Sequence, residues 1–205
     1  MGKVHVDITT SLDGYIAGPN DGPELPLGEN GERIHEWVTR LTSWRKEHGL
    51  EGGETNSDSE VFEESLADRG AVILGRRMFD NAHGWGEEPP FRMPVFVLTH
   101  EAREPETKQG GTTFTFVNDG IESALQQAKA AAGDKNILVA GGADTVQQFL
   151  KAGLIDEIQI HVVPLLLGGG VKLLERLSDE DVKLESSRVV ESPTVAHLRY
   201  RIVRD

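Results

Sequence analysis

Four short stretches of this chain combine residue types that can hold an anionic ligand. In Val139-Ala140-Gly141-Gly142-Ala143-Asp144-Thr145-Val146 an apolar run meets two glycines and then a helix-forming segment. Glycine lets backbone approach a phosphate closely, and a helix start offers unpaired N–H donors at the positive end of the helix dipole. The same pattern also serves as an ordinary strand-to-helix turn, and the two readings weigh about equally. Asp144 competes for those donors, and neither a Gly-Lys-Ser/Thr ending nor the full dinucleotide glycine fingerprint follows. Leu74-Gly75-Arg76-Arg77-Met78-Phe79 sets two arginines after another apolar run, where guanidinium groups can clamp a phosphate by paired hydrogen bonds. In isolation those arginines read more simply as a solvated helix start. Leu98-Thr99-His100 closes a third run. The fourth stretch, Pro164-Leu165-Leu166-Leu167-Gly168-Gly169-Gly170, is either a loop bordering a ligand or a connector.

These stretches need a scaffold that brings them together. Val4-His5-Val6-Asp7-Ile8-Thr9 alternates apolar and polar residues, the period of a strand. It runs into Ser11-Leu12-Asp13-Gly14 and a long loop punctuated by glycine and proline, of the kind that covers active sites. Ile34, Trp37, Val38 and Leu41 recur at helical spacing between Gly31 and Trp44, while residues 51–59 are nearly free of apolar side chains and read as an exposed loop. Val61, Phe62, Ser65 and Leu66 predict a short helix, and residues 71–74, 95–98 and 113–116 predict strands. Asp119 stands where it can cap a helix striped by Ile121, Leu125, Ala128 and Ala132, with Gly133 as its stop. A strand at 136–140 and a helix at 144–150 follow, with Asp144 and Gln147 spaced as a capping box; Gly153 then precedes a strand at 155–163.

Residues 182–190 and 195–203 are β-rich runs joined by Glu191-Ser192-Pro193-Thr194, a hairpin pattern. Strands alternating with helices predict an α/β fold: a mixed, mostly parallel sheet flanked by helices, closed by a C-terminal antiparallel hairpin. With no internal repeat and no long linker, residues 1–205 read as one domain. In open α/β sheets ligands bind beyond the carboxyl ends of the strands. Three such ends carrying Gly, Arg and Thr therefore point to one site.

Composition narrows the classes. Lys and Arg total 21 against 34 acidic residues, a formal net charge of -13 that repels nucleic-acid phosphates, and no basic patch offsets it. The chain has no cysteine, which excludes disulfides, thiolate nucleophiles and zinc–thiolate sites. The seven histidines lack the His-Glu-x-x-His spacing, so each reads as structural or surface, with no metal site expected. No apolar stretch approaches the ~20 residues that span a bilayer. The opening Gly2-Lys3-Val4-His5 lacks a signal-peptide core, so a cytoplasmic protein without membrane partners is expected.

Taken together, Ser11-Leu12-Asp13-Gly14, Gly75-Arg76-Arg77, Leu98-Thr99, Ala140-Gly141-Gly142-Ala143 and the 164–170 stretch resemble, in order and spacing, the dihydrofolate-reductase-like superfamily. Within it the chain looks like the C-terminal reductase domain of the bifunctional riboflavin-biosynthesis deaminase–reductase, over essentially its whole length. The resemblance implies NADPH as cofactor and a homodimer. It places Gly75, Arg76 and Arg77 near the cofactor phosphates, and Leu98 and Thr99 beside the adenosine with His100 as a partner of the 2′-phosphate. Ala140, Gly141, Gly142 and Ala143 would meet the pyrophosphate and nicotinamide ribose, with Thr145 and Val146 next in the helix start. Thr9, Thr10 and Ile16 would flank the nicotinamide, and Pro164, Leu165, Gly168 and Gly169 would form a substrate-side loop.

There are departures from the family pattern. Met78 stands where many relatives have Thr or Ser, and His100 where Arg often follows Thr99. No acidic residue matches the substrate-binding carboxylate of true dihydrofolate reductases; Glu32 and Glu36 lie in the corresponding helix but read as exposed. The deaminase's Pro-Cys-x-x-Cys zinc signature is missing from a chain without cysteine.

The implied activity is hydride transfer from NADPH to a C=N or C=O bond of a small polar, pteridine- or pyrimidine-like substrate. Asp13 is the candidate catalytic side chain, with a bound water as an equal source of the proton and a bond to its own turn as the plainer role. The alternative is a nucleotide-binding or regulatory protein of the same fold without turnover. A purely structural reading explains the core but not the clustered Gly and Arg.

Overall fold

The computed structural model describes residues 2–175, 177 and 182–204. Strands β1 (Val4–Ser11) and β2 (Tyr15–Ala17) come first, then a 3-10 turn at Gly31–His35 and helices α1 (Glu36–Thr39), α2 (Thr42–Glu47) and α3 (Ser57–Ala67). β3 (Arg69–Gly75) leads directly into α4 (Arg76–Asn81), followed by β4 (Pro94–Leu98), β5 (Glu106–Thr107), β6 (Thr113–Val117) and α5 (Ile121–Ala132). β7 (Asn136–Gly141) turns into α6 (Ala143–Lys151), and β8 (Glu157–Val163) and β9 (Val171–Lys172) precede the hairpin β10 (Lys183–Glu191) and β11 (Ala196–Val203).

One sheet carries nine of these strands in the order β10-β11-β8-β1-β7-β3-β4-β6-β5. The six from β8 to β6 run parallel, while β10 and β11 at one edge and β5 at the other are antiparallel. Central parallel strands are covered on both faces, which is why β3 reads as an unbroken apolar run. Its side chains alternate between two cores: Ala71 and Ile73 pack with Val139, Val146 and Phe149 beneath α5 and α6, whereas Val72 and Leu74 pack with Phe79, Val97 and Phe114 beneath α4. Farther along the second face, Trp37, Val38 and Leu41 of the α1 region make a third, smaller core with Val195 of the hairpin. A gap on this face separates α4 from α1–α3. Among the described residues no helix is long and apolar enough to cross a membrane.

Local structure departs from the sequence expectations at four places. The stripe between Gly31 and Trp44 is not one helix, because Leu41 is extended (φ -71, ψ 138) where the 51–54 segment crosses it. Glu54 there accepts from Thr42 N–H and donates to the Arg40 carbonyl, taking backbone groups that a continuous helix would need. The exposed loop ends before Ser59: Asn56 caps α3 in a capping box with Ser59, and Asp58 and Ser59 are buried. Asp119 does not cap α5; Gly120 holds that position at φ 105 with no side-chain bond. Asp144 and Gln147 do not close a capping box either, since Asp144 accepts from Gln148 and Gln147 donates to the Leu173 carbonyl.

Candidate active site

A cavity of about 1250 Å³ lies across the carboxyl ends of the parallel strands and into the gap on the second face. Its lining passes from β8 and β1 across β7 and β3 to β4 and β6. Those five strand-to-strand steps amount to about 24 Å at the usual spacing. Sites for one small ligand run to about 300–1000 Å³, so this cavity has room for an extended cofactor together with a second small molecule. All three tryptophans, Trp37, Trp44 and Trp85, line it.

The outer part is built by helix starts and arginine. Gly142 sits at the N-cap of α6 without a side-chain cap, so the first N–H groups of the helix have no partner within the fold that a cap would supply. Val146 N–H closes the first turn onto the Gly142 carbonyl at 3.2 Å. The buried Thr145 is admitted by Gly75: a Cβ added at position 75 would stand 2.6 Å from the Thr145 hydroxyl oxygen. Arg76 reaches from α4 toward the rim, where its Nε donates to both Asp80 carboxylate oxygens at 2.8 Å. Its Nη1 lies 3.5 Å from Thr99 Oγ1 and 3.4 Å from Glu101. The bond with Asp80 raises the Arg76 pKa. Arg77 is used differently: it and Asn81 grip Asp21, with Arg77 Nη2 2.7 Å from Oδ1, and so tie the 19–23 loop to α4.

The inner part is a buried polar chain. Asp7 of β1 lies beside His161 of β8, with Nε2 2.7 Å from Oδ1. His161 Nδ1 is 2.6 Å from Nδ1 of His197 on β11, its register partner. His197 Nε2 in turn stands 3.1 Å from Oδ1 of Asp58, a buried carboxylate of α3. Trp37 packs over both imidazoles, with ring centroids at 4.8 and 5.1 Å, and its Nε1 donates to Thr9 Oγ1 at 3.3 Å. Burial pushes the Asp7 carboxyl up, but His161, through charge and hydrogen bond, and Arg69 at 3.7 Å outweigh it and hold Asp7 well below the usual range. Burial, reinforced by His161, pushes His35 on the same wall down to about 4. Asp7, His35, Trp37, Arg69 and His161 all face the cavity.

Of the sequence-predicted cofactor residues, Thr9, Ile16, Gly75, Arg76, Arg77, Leu98, Thr99, His100, Ala140, Gly142, Ala143 and Thr145 line this single cavity. Thr10 and Gly141 are buried outside the lining, and Val146 belongs to the core under α6. Asp13 and the 164–170 loop are elsewhere. The Asp13 carboxylate accepts from Ser11 Oγ at 2.6 Å, from Leu167 N–H at 3.1 Å and from Gly168 N–H at 2.8 Å. These bonds, the one from Ser11 foremost, hold its carboxyl at about 2. Its geometry is that of a staple between the turn after β1 and the glycine loop. Gly170, at φ +117, packs so closely that a Cβ would lie 2.1 Å from the Ala17 carbonyl, which aligns β9 with β2. Pro164, Leu165, Gly168 and Gly169 do not line the cavity, although Val171 just beyond them does. Glu32 and Glu36 are exposed and away from it.

Sequence reasoning passed over the inner chain, taking the histidines one at a time. A signal was available: an Asp in a strand that the pattern made central and parallel is a charge where both faces are covered.

Comparisons with known proteins place the chain in a family and a fold. Residues 2–198 match the model of the family described as the RibD C-terminal domain. The chain belongs to that family. Among curated relatives, the uncharacterized Bacillus subtilis protein YyaP is 26% identical over 204 residues, 94% of this chain and 92% of that one. The uncharacterized Bacillus subtilis protein YwjB is 34% identical over 110 residues, 53% of this chain and 60% of that one. Of solved structures, a Shewanella sp. PV-4 protein named for riboflavin biosynthesis superposes with a TM-score of 0.70 at 23% identity, covering 98% of this chain and 99% of that one. Dihydrofolate reductase from Enterococcus faecalis, solved with NADP(H), superposes with a TM-score of 0.57 at 16% identity, covering 98% and 96%. The fold of this RibD-domain chain is thus dihydrofolate-reductase-like.

Proposed function

We propose that this protein is a cytoplasmic, NADPH-dependent reductase of a small polar, pteridine- or pyrimidine-like substrate. The observation that carries the reading is the single cavity that joins an uncapped helix start and Arg76 at its outer end to a buried carboxylate and aromatic walls at its inner end. The residues present fit a dinucleotide. The N–H groups at the start of α6 and the Arg76 guanidinium suit phosphates, and Thr99 and His100 at the rim suit a ribose and its 2′-phosphate. Bound there, the cofactor would supply a hydride. The chain's own contribution is orientation: Thr145 held against Gly75, Ile16 and Thr9 on the walls near the middle, and Trp37 fixed by Thr9. The α/β topology and the RibD-domain membership support the same reading.

A second copy of the chain is part of the proposal. β10 is an edge strand of nine residues with Leu184 and Val189 exposed, which suits pairing with a partner copy. Light scattering on the eluting protein gives the mass, and a mass of one chain removes the dimer.

The central test is titration with NADPH and NADH, read by quenching of the three cavity-lining tryptophans. Micromolar binding that favours NADPH is expected. Arg76→Ala should weaken it about tenfold, the loss of a charge-assisted hydrogen bond. No binding of either nucleotide would overturn the reductase reading. Binding without cofactor oxidation across a panel of pteridines and pyrimidines would favour the alternative, a nucleotide-binding protein without turnover.

A further inference from the structure

The four residues Asp7, His161, His197 and Asp58 come from four different elements and form an unbroken chain of close contacts. Their proton count is informative. Three bridges join four groups, and each bridge requires one proton between its two heavy atoms. Two neutral imidazoles facing two carboxylates hold only two protons. The third bridge cannot be left empty, because nitrogen lone pairs at 2.6 Å would face each other without a hydrogen. Whichever tautomers are drawn, the chain holds one proton more than neutral histidines supply. Trp37 packs against both imidazoles, tilted on His161 and edge-on to His197, and shields the chain.

The chain has an inner and an outer terminus. Asp7 and His161 lie in the cavity wall, with Asp7 Oδ2 also near Gln159 and Arg69. Asp58 Oδ2 accepts from Ser192 Oγ at 3.1 Å and Thr194 Oγ1 at 3.3 Å, hydroxyls of the turn between β10 and β11, where Thr194 is exposed. We propose that Asp7, His161, His197 and Asp58 form a proton-loaded relay that holds one extra proton and gives it, through Asp7, to a ligand at the inner end of the cavity.

This rests on the reductase reading, because saturating a C=N or C=O bond consumes one proton along with the hydride from the reduced nicotinamide. The proton on His161 Nε2 passes to the Asp7 carboxyl and from there to the ligand heteroatom. Solvent in the cavity, which Asp7 and His161 line, then reloads the Asp7–His161 bridge, while the protons of the other two bridges stay in place. Each bridge regains its proton and no charge is left behind. Asp7 is the catalytic member, since it faces the ligand, and His197 and Asp58 are positioning residues. The charged and titratable groups facing the relay are Arg69 from β3, His35 from the turn before α1 and His5 from β1. Burial keeps His35 and His5 toward their neutral forms, so they neither compete for the extra proton nor supply it. Burial pushes His197 in the same direction against its bond to Asp58, so the extra proton is held by the three-bridge geometry between two carboxylates.

Two measurements test the proposal. The first needs no cofactor: nitrogen and proton NMR of the histidine-labelled chain. Both Nε2 atoms protonated, with one strongly downfield proton shared by the Nδ1 atoms, is expected, and its loss in Asp58→Asn, whose amide still accepts from Ser192. Two neutral imidazoles titrating independently in the wild type would overturn the relay. The second uses NADPH oxidation with the best substrate of the panel. Asp58→Asn should leave NADPH affinity unchanged and lower kcat by about 100-fold at about pH 8, with a smaller loss at about pH 6 where protons are plentiful. An unchanged kcat at both pH values would overturn delivery. If the wild type binds no NADPH, the reductase reading falls while the spectra still decide whether the extra proton is present.

Discussion

At the inner end of the cavity the polar groups hold partners fixed by the fold, whereas at the outer rim the charged groups hold partners that solvent can reach. Asp58, His161 and His197 are almost fully buried and bonded to one another across strand and helix. Arg76 instead pairs with Asp80, 43% exposed, and Glu101, 79% exposed. Ion pairs of the first kind are costly to break, because each lost partner strands a buried charge. Those of the second kind are worth little and are easily broken. The inner end is therefore preorganised, and the outer end is held ready by interchangeable carboxylates.

The sharpest way to break this contrast is His161→Ala. It leaves Asp7 without its close partner and His197 facing a void, and should cost about 3–5 kcal/mol. Thermal unfolding by circular dichroism should then show the midpoint drop by roughly 10 °C; a drop as small as that of a rim variant would remove the distinction between the two ends. Gly75→Ala is next. Its Cβ has no room beside the Thr145 hydroxyl, so the α6 start must shift, at about 1–3 kcal/mol in stability. NADPH affinity measured on the same sample should fall with it, and unchanged affinity would separate the helix start from the binding site.

Acid should act on the inner end first. His35 is held at about 4 against 6.5 for the free side chain, so between those values the unfolded chain takes up a proton that the folded chain refuses. Stability is complete above pH 6.5 and declines as the pH falls toward 4. Asp7, depressed from 3.8, adds a loss only as the pH drops through and below that value. Melting curves across this range should show the decline, and His35→Gln should flatten its upper part. The smallest effect belongs to the rim: Glu101→Gln removes a carboxylate from beside Arg76 and should tighten NADPH by no more than about threefold, within the range of an exposed pair. A large gain in the same titration would mean that Glu101 guards the site more firmly than its exposure suggests.

The parts legible in the sequence were those whose residues are neighbours along the chain. The strand-to-helix junctions at 74–79 and 139–146 announce themselves by an apolar run, glycine and a helix start, and the parallel pairing of β3 with β7 brings both to the carboxyl end of the sheet. Asp13 shows in the sequence only its local options, a place beside a substrate or a bond within its own turn. Its other partners, the backbone N–H groups of Leu167 and Gly168, lie more than 150 residues away, and no local pattern shows a carboxylate closing a distant loop. The pairings of Arg76 and Arg77 diverged for the same reason: one helix turn presents the two guanidinium groups in different directions, and only the packing of the 19–23 loop gave Asp21 to Arg77.

The order of strands and helices, the parallel sheet and the glycines at the strand-to-helix turns followed from the sequence itself, because period, turn residues and helix starts are local properties of the chain. The tertiary structure alone decided the inner end. Residues 7, 58, 161 and 197 meet only because β8 pairs with both β1 and β11 and brings His161 opposite His197, while α3 lays Asp58 against the hairpin. A shift of one residue in that strand register would turn either histidine to the opposite face of the sheet and dissolve the chain.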